Sequence, residues 1–193
     1  MRVAVGFSDA ERPRVAALYW EAFGAKLGLA LGPRDRALAF LTRALRPAHA
    51  ICARDGSGTL LGVAGFKTIE GALVDGTAQD MAAVYGRLGA LWRIGLLALL
   101  ERETTEHRFL MDGIAVTEPA RGMGVGTALL EAAAREARAR GCAEIRLDVV
   151  HGNDRARALY ERRGFVAVGE QRIGLLRFAF GFRGATIMVR RLV

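Results

Sequence analysis

The chain has 193 residues, 52% hydrophobic and 25% charged, with a formal charge of +8. That composition excludes a disordered chain and supplies enough apolar residues for one domain of ordinary size with a real core. The positive charge is nearly all arginine, Lys26 and Lys67 being the only lysines. Most of the arginines sit among glutamates on predicted helices, which reads as solvated helix faces and not as a basic nucleic-acid surface. The aromatic-plus-basic clusters expected for single strands are missing.

Residues 2–6 form a short apolar run and a first strand. The opening "MRVAVGFSDAERPR" lacks the apolar core of a signal peptide. Residues 11–23 carry Val15, Leu18, Tyr19 and Ala22 at helical spacing. Pro33 and Asp35 open a second helical segment that ends near Pro47. "HAICARD" and "LLGVAGFKT", joined by "GSG", read as a β-hairpin. Cys52 and Cys142 are far apart, so two reduced thiols in a cytoplasmic protein are expected. A helix follows from about Asp80 to Glu103. Its apolar residues 81, 84, 85, 88, 92, 96 and 99 make one face, and Arg87 and Arg93 argue against a membrane span.

Next come a strand at about 108–117, a glycine-rich turn, and a helix to Arg140 stopped by Gly141. "AEIRLDVV" is another strand. "NDRARALYERRG" is a helix capped by Asn153 or Asp154 and closed by Gly164. "FVAVGEQ" and "ATIMVRRL" complete the strands. The order β-α-α-β-β-α-β-α-β-α-β-β predicts a mixed α/β fold with helices covering a sheet. A single domain over 1–193 is expected, with a helical insert at about 68–107. The insert could cover an acceptor cleft, form a homodimer surface, or thicken the core.

The turn "RGMGVGT", Arg121 to Thr127, follows a strand and enters a helix. Such a turn aims unpaired backbone N–H groups, backed by the helix dipole, at one point where an anion fits. The spacing is not that of a Rossmann turn, because Thr127 stands where the third glycine belongs. A P-loop is excluded because Gly-Lys-Ser/Thr does not occur. Close packing alone is the other reading of these glycines.

"GIAVTEPARGMGVGTALL" resembles the GCN5-related N-acetyltransferase (GNAT) pattern of an apolar strand, a short loop, then Arg/Gln-x-x-Gly-x-Gly/Ala. "LDVVHGNDRARALYERRGFVAVG" resembles that family's second signature, Asn-x-x-Ala-x-x-Leu-Tyr followed by Gly-Phe. Together the two cover about a third of the chain, from Asp112 to Gly169. The resemblance implies a mostly antiparallel sheet with a splayed central strand pair, flanked by helices. It implies acetyl-CoA as co-substrate and an amine acceptor, a small molecule or a peptide N-terminus, attacked directly in a ternary complex. Backbone groups of Ile114, Ala115 and Val116 would pair with the pantetheine arm. Arg121, Gly122, Met123, Gly124, Val125, Gly126 and Thr127 would hold the pyrophosphate. Asn153 and Ala156 would flank the arm from the other side.

Tyr160 takes the family's position for the acid that protonates the leaving thiolate, a phenol near 10 set against a thiol near ~8.5. The base is less defined. Histone-acetylating relatives carry a Glu where this chain has Leu110. Asp112, two residues on, would point to the same side in a regular strand and is weighed evenly between base and structural carboxylate. Glu118 reads as a solvated loop residue. Asp148 and His151 end the next strand near the expected cleft; His151 could titrate near neutrality, though a lone His in a loop is more often just exposed. His49 and His107 have no metal-like company, and no metal is expected. The segment from Glu170 to Ala185 is a candidate acceptor lining, with Phe180 in it and Trp92 in the insert as test positions. A non-catalytic acyl-CoA-binding domain is the alternative. No nucleic-acid or membrane partner is expected.

Overall fold

The computed structural model describes residues 1–99, 108–172 and 184–192. The chain runs β1 (Arg2–Val5), α1 (Arg12–Leu31), α2 (Arg34–Ala44), β2 (Ala50–Arg54), β3 (Leu60–Thr68), β4 (Gly71–Ala72) and α3 (Ala78–Ala98). It continues with β5 (Arg108–Val116), α4 (Val125–Ala139), β6 (Glu144–Val150), α5 (Asp154–Arg162), β7 (Val166–Arg172) and β8 (Gly184–Arg191). The strands join in one mixed sheet of order β1-β2-β3-β5-β6-β8-β7, with β4 added beside β3. Every pairing is antiparallel except β5 with β6.

The predicted element order holds apart from the added two-residue β4, and the departures in helix length and shape have local causes. α1 continues to Leu31 instead of stopping at residue 23. Gly24 does not break it because the Trp20 ring fills the space beside it, 2.9 Å from where a Cβ would stand. The insert helix α3 opens on a reciprocal cap: Thr77 accepts from Asp80 N–H, and the Asp80 carboxylate accepts from Thr77 N–H. Its predicted single apolar face fails at Gly86, whose φ of 72° and ψ of 165° kink the helix. Met81 and Tyr85 lie buried before the kink. Beyond it the buried position moves to Ala90, and Leu88 is left 86% exposed. The Tyr85 hydroxyl donates to Leu31 O, tying α3 to the end of α1. The insert's residues 100–107, including His107, and residues 173–183, including Phe180, lie outside the described residues.

One core cluster packs α4 on the sheet. Leu129, Leu130, Ala133 and Ala137 bury against Phe66, Phe109, Ile145 and Met188. The alanines let the α4 backbone approach closely. A second cluster packs α1 and α2 on Ile51's neighbours in the ladder, Ala50 and Cys52, and on Val63 and Ala115, and a third joins α1, α2 and α3 through Leu31, Phe40, Met81 and Tyr85. Cys52 and Cys142 are free and buried. Burial pushes the Cys52 thiol up to about 12, so it stays a neutral apolar side chain. Among the described residues no helix is long and apolar enough to cross a membrane.

Candidate active site

The parallel pairing of β5 with β6 is short. Arg108 pairs with Glu144, Phe109 with Ile145 and Leu110 with Arg146, and there it stops. The Arg108–Glu144 ion pair at 2.7 Å marks the closed end. Beyond Leu110 the two strands diverge, while β5 stays paired to β3 up to Val116. Thr117 N–H donates to Leu61 O at 2.9 Å, so Thr117 and Ala115 turn their backbone groups toward β3. Ile114 and Val116, between them in the alternation, turn theirs toward the gap. The Arg121 guanidinium reaches Val116 O at 3.4 Å from that side. Two of the three predicted backbone positions therefore face the gap. Ala115 lines it without offering its polar groups.

The glycine turn closes the open end. Gly122 and Gly124 have φ of 84° and 79°, left-handed values that other residues adopt at a cost. A Cβ on either would meet no protein atom within 4 Å, so these two glycines serve backbone direction and not protein packing. The first bond of α4 runs from Ala128 N–H to Gly124 O. That leaves the N–H groups of Val125, Gly126 and Thr127 without helical acceptors, and Gly124 has no side chain to cap them.

Ile114, Ala115, Val116, Arg121, Gly122, Gly124, Val125, Gly126, Thr127, Asn153, Ala156 and Tyr160 line one cleft of about 530 Å³. Met123 is not among its lining and is 69% exposed. The Asn153 side chain caps α5 by accepting from Ala156 N–H at 3.2 Å, which explains this pair's spacing in structural terms. Residues the sequence reading missed also line the cleft: Leu18, Glu21 and Ala22 of α1, and Arg155 and Arg162 of α5. By periodicity alone the two arginines read as solvated charge. Their place, Arg155 inside the Asn-x-x-Ala motif and Arg162 six residues beyond it, is the available signal.

Tyr160 is buried on α5, its ring 5.8 Å from that of Phe165. Burial alone pushes the phenol up to about 12, with no hydrogen bond or charge offsetting it. The value near 10 assumed from sequence is corrected upward accordingly.

Asp112 lies elsewhere. Gly65 pairs with Gly113 and Phe66 with Met111, so Asp112 is the extra residue of a β-bulge. The bulge removes the regular alternation on which the same-side expectation rested. Asp112 opens instead into a second cleft of about 390 Å³, lined by α1, α2, α3 and β3. The two clefts abut at α1 and β5. Ala22 faces the first and Phe23 the second, and Ile114 faces the first and Asp112 the second. Between them the Phe23 ring lies on Gly113, 2.4 Å from where a Cβ would stand.

The other candidates separate. Asp148 accepts from Arg146 at 3.2 Å within β6. His151 is exposed and lines a third cleft with Asp154, Arg157 and Glu170. Glu118 is exposed in the loop before the turn. His49 is buried in a short turn before β2, not on the strand as expected. Burial holds its pKa below the ordinary value.

A protein-family model described as "Acetyltransferase (GNAT) family" matches residues 12–165. The chain belongs to the GNAT acetyltransferase family. Solved structures agree on the fold. An acetyltransferase structure superposes with a TM-score of 0.67 at 22% identity, each chain covered completely. A ribosomal-protein-alanine N-acetyltransferase from Brucella melitensis gives 0.65 at 19%, again with both chains fully covered. A putative phosphinothricin N-acetyltransferase gives 0.64 at 19%, covering 100% of this chain and 98% of the other. No curated protein matches the chain by sequence. Acetyl-CoA is the co-substrate of the GNAT family, and the residues at the β5–β6 gap fit that group. The gap carries a free strand edge for an amide-bearing arm and unpaired N–H groups for a diphosphate.

Proposed function

We propose that the protein is an acetyl-CoA-dependent N-acetyltransferase that acetylates a primary amine by direct attack in a ternary complex. The observation that carries this reading is the convergence, on one cleft, of the free β5 edge, the unpaired α4 N-terminus and Tyr160. In this reading Ile114 and Val116 bind the pantetheine amides as an added strand would. Val125, Gly126 and Thr127 N–H groups, with Arg121, hold the pyrophosphate. Arg155 and Arg162 supply further positive charge along the same wall.

The acetyl thioester supplies an electrophilic carbonyl, and the acceptor enters from the second cleft. Asp112 is the candidate base, because it lies where the acceptor cleft abuts the acetyl-CoA cleft. An alkyl ammonium near ~10 must lose a proton before it can attack. Tyr160 acts on the leaving sulfur. Full transfer from a phenol at about 12 to a thiolate of ordinary pKa ~8.5 is uphill by about 3.5 units, or ~5 kcal/mol. Tyr160 therefore serves as a neutral hydrogen-bond donor to sulfur through the transition state, where negative charge develops.

The test is CoA release from acetyl-CoA over a panel of amines, polyamines, amino acids and N-terminal peptides. Turnover that falls in Asp112→Asn, with acetyl-CoA affinity retained, is the expected result. Tight acetyl-CoA binding without turnover on the whole panel would replace the proposal with a non-catalytic acyl-CoA-binding role.

A further inference from the structure

We infer that Glu21 is the carboxylate that holds the acceptor's ammonium group beside the thioester, so that the acceptor binds as a cation at its reacting nitrogen. This deepens the acetyl-transfer reading above and rests on it. Among the residues lining the first cleft Glu21 carries the one carboxylate, in company with three arginines, Arg121, Arg155 and Arg162. It belongs to α1, whose Leu18 and Ala22 line the same cleft. Among the described residues its side chain has no hydrogen bond or ion pair, whereas Asp112 is already engaged within the protein.

The level of Glu21 along the cleft follows from the packing of α1 on β5. Leu18 shares a core cluster and the first cleft with Ala115, and the Phe23 ring lies on Gly113. From Leu18 to Phe23 the helix rises about 7.5 Å, and from Ala115 back to Gly113 the strand covers about 7 Å, so the two run side by side in opposite directions. Glu21 stands between these two levels, beside Ile114 and one turn farther from the glycine turn than Leu18. With the pyrophosphate at the glycine turn, an arm laid along β5 carries its thioester in this direction. An acid so placed does nothing for a polyanionic cofactor, which the arginines and the α4 N-terminus attract. It matches the cation that must come to the thioester, the ammonium of the acceptor. Asp112 lies across Phe23 in the second cleft, so it meets the acceptor before the nitrogen reaches the thioester. Glu21 gives the cation a partner on arrival, and a neutral alcohol of the same shape gains little from it.

The experiment saturates the purified protein with CoA and titrates it calorimetrically with butylamine, benzylamine, putrescine and glycinamide. Butanol and benzyl alcohol are the uncharged counterparts. Wild type should bind the amines about threefold to thirtyfold more tightly than the alcohols, and Glu21→Gln should erase the difference. Glu21→Asp, which keeps the charge on a shorter stem, should retain part of it. Glu21→Gln should melt with the wild type, because Glu21 has no partner to lose among the described residues. Its acetyl-CoA dissociation constant should be unchanged or up to about threefold lower, since a like charge leaves the cleft. Equal binding of amines and alcohols by wild type, or no binding by any amine, overturns the inference. So does a weakening of acetyl-CoA in Glu21→Gln beyond about threefold, which would put Glu21 among the cofactor's own contacts. CoA release from acetyl-CoA with the same amines reports separately on the parent reading. In active protein Glu21→Gln should raise KM for the amine with a smaller change in kcat. Equal KM in both refutes the anchor and leaves acetyl transfer standing. An amine preference lost in the variant, without CoA release in wild type, supports the anchor and refutes the transfer.

Discussion

Replacing Tyr160 by Phe separates chemistry from stability. Tyr160 lines the cleft proposed for acetyl-CoA, and burial alone raises its pKa to about 12. A charge-assisted hydrogen bond to the leaving sulfur contributes about 1.5–3 kcal/mol, so Tyr160→Phe should lower kcat roughly tenfold to 150-fold. The acetyl-CoA dissociation constant should change less than threefold, because sulfur is uncharged in the ground state. At neutral pH the variant should melt at or slightly above the wild-type temperature, since the hydroxyl makes no hydrogen bond among the described residues.

The folded phenol titrates above its unfolded value of 10. The unfolded chain therefore loses this proton first, and wild-type stability falls as pH rises from 10 toward 12. The loss approaches about 2–3 kcal/mol, and the Phe variant should escape it. Stopped assays for kcat, calorimetric acetyl-CoA titration and melts at pH 7 and pH 11 test all three. A kcat within twofold of wild type would refute the role at sulfur. An alkaline limb of kcat near pH 9 that vanishes in the variant would refute the burial argument.

Gly113→Ala places a Cβ 2.4 Å from the Phe23 ring. It should cost about 1–3 kcal/mol of stability in urea melts, with part recovered by adding Phe23→Leu; an unchanged midpoint would contradict the packing described. Gly124→Ala meets no neighbour but must adopt φ of 79°. A loss of about 1–2 kcal/mol and weaker acetyl-CoA binding by calorimetry are expected. The Glu11 carboxyl is lowered from 4.5 to about 2, chiefly by its hydrogen bond from Arg54 at 2.6 Å. That stabilisation is present above pH 4.5 and is lost as pH falls toward 2, so the urea midpoint of Glu11→Gln should fall less over this range than that of wild type.

The order of elements was legible because each carries its own period and punctuation. Asn153, Gly141 and Gly164 mark helix ends through purely local chemistry. That these residues share one cleft was legible for the same reason: the turn and the strand before it adjoin in the chain, and Tyr160 lies on a helix with a recognisable spacing. What escaped depended on side-chain packing or on contacts between distant segments. Gly24 is tolerated because Trp20, one turn earlier, covers it, and Asp112 is re-aimed because β3 and β5, far apart in the chain, slip by one residue. The kink at Gly86 shifts the α3 face without leaving a break in composition. The second cleft draws on α1, α2, α3, β3, β4 and β5, so no run of sequence announces it. The arginines of α5 looked like solvated charge because periodicity tells which face a residue occupies and not what that face meets.

The three rungs between β5 and β6 have a mechanical consequence. They are the seam between a half-sheet of β1-β2-β3-β5 and another of β6-β8-β7. A molecule bonded to the β5 edge and the α4 N-terminus would act as the missing stitching along that seam. It binds the folded chain and not the unfolded one, so at a hundred times its dissociation constant it adds about 2.7 kcal/mol to stability. Hydrogen exchange along Ile114–Val116 and the facing half of β6 would slow together on loading. The two halves, already bridged by α4, would then also be joined along the open part of their shared edge.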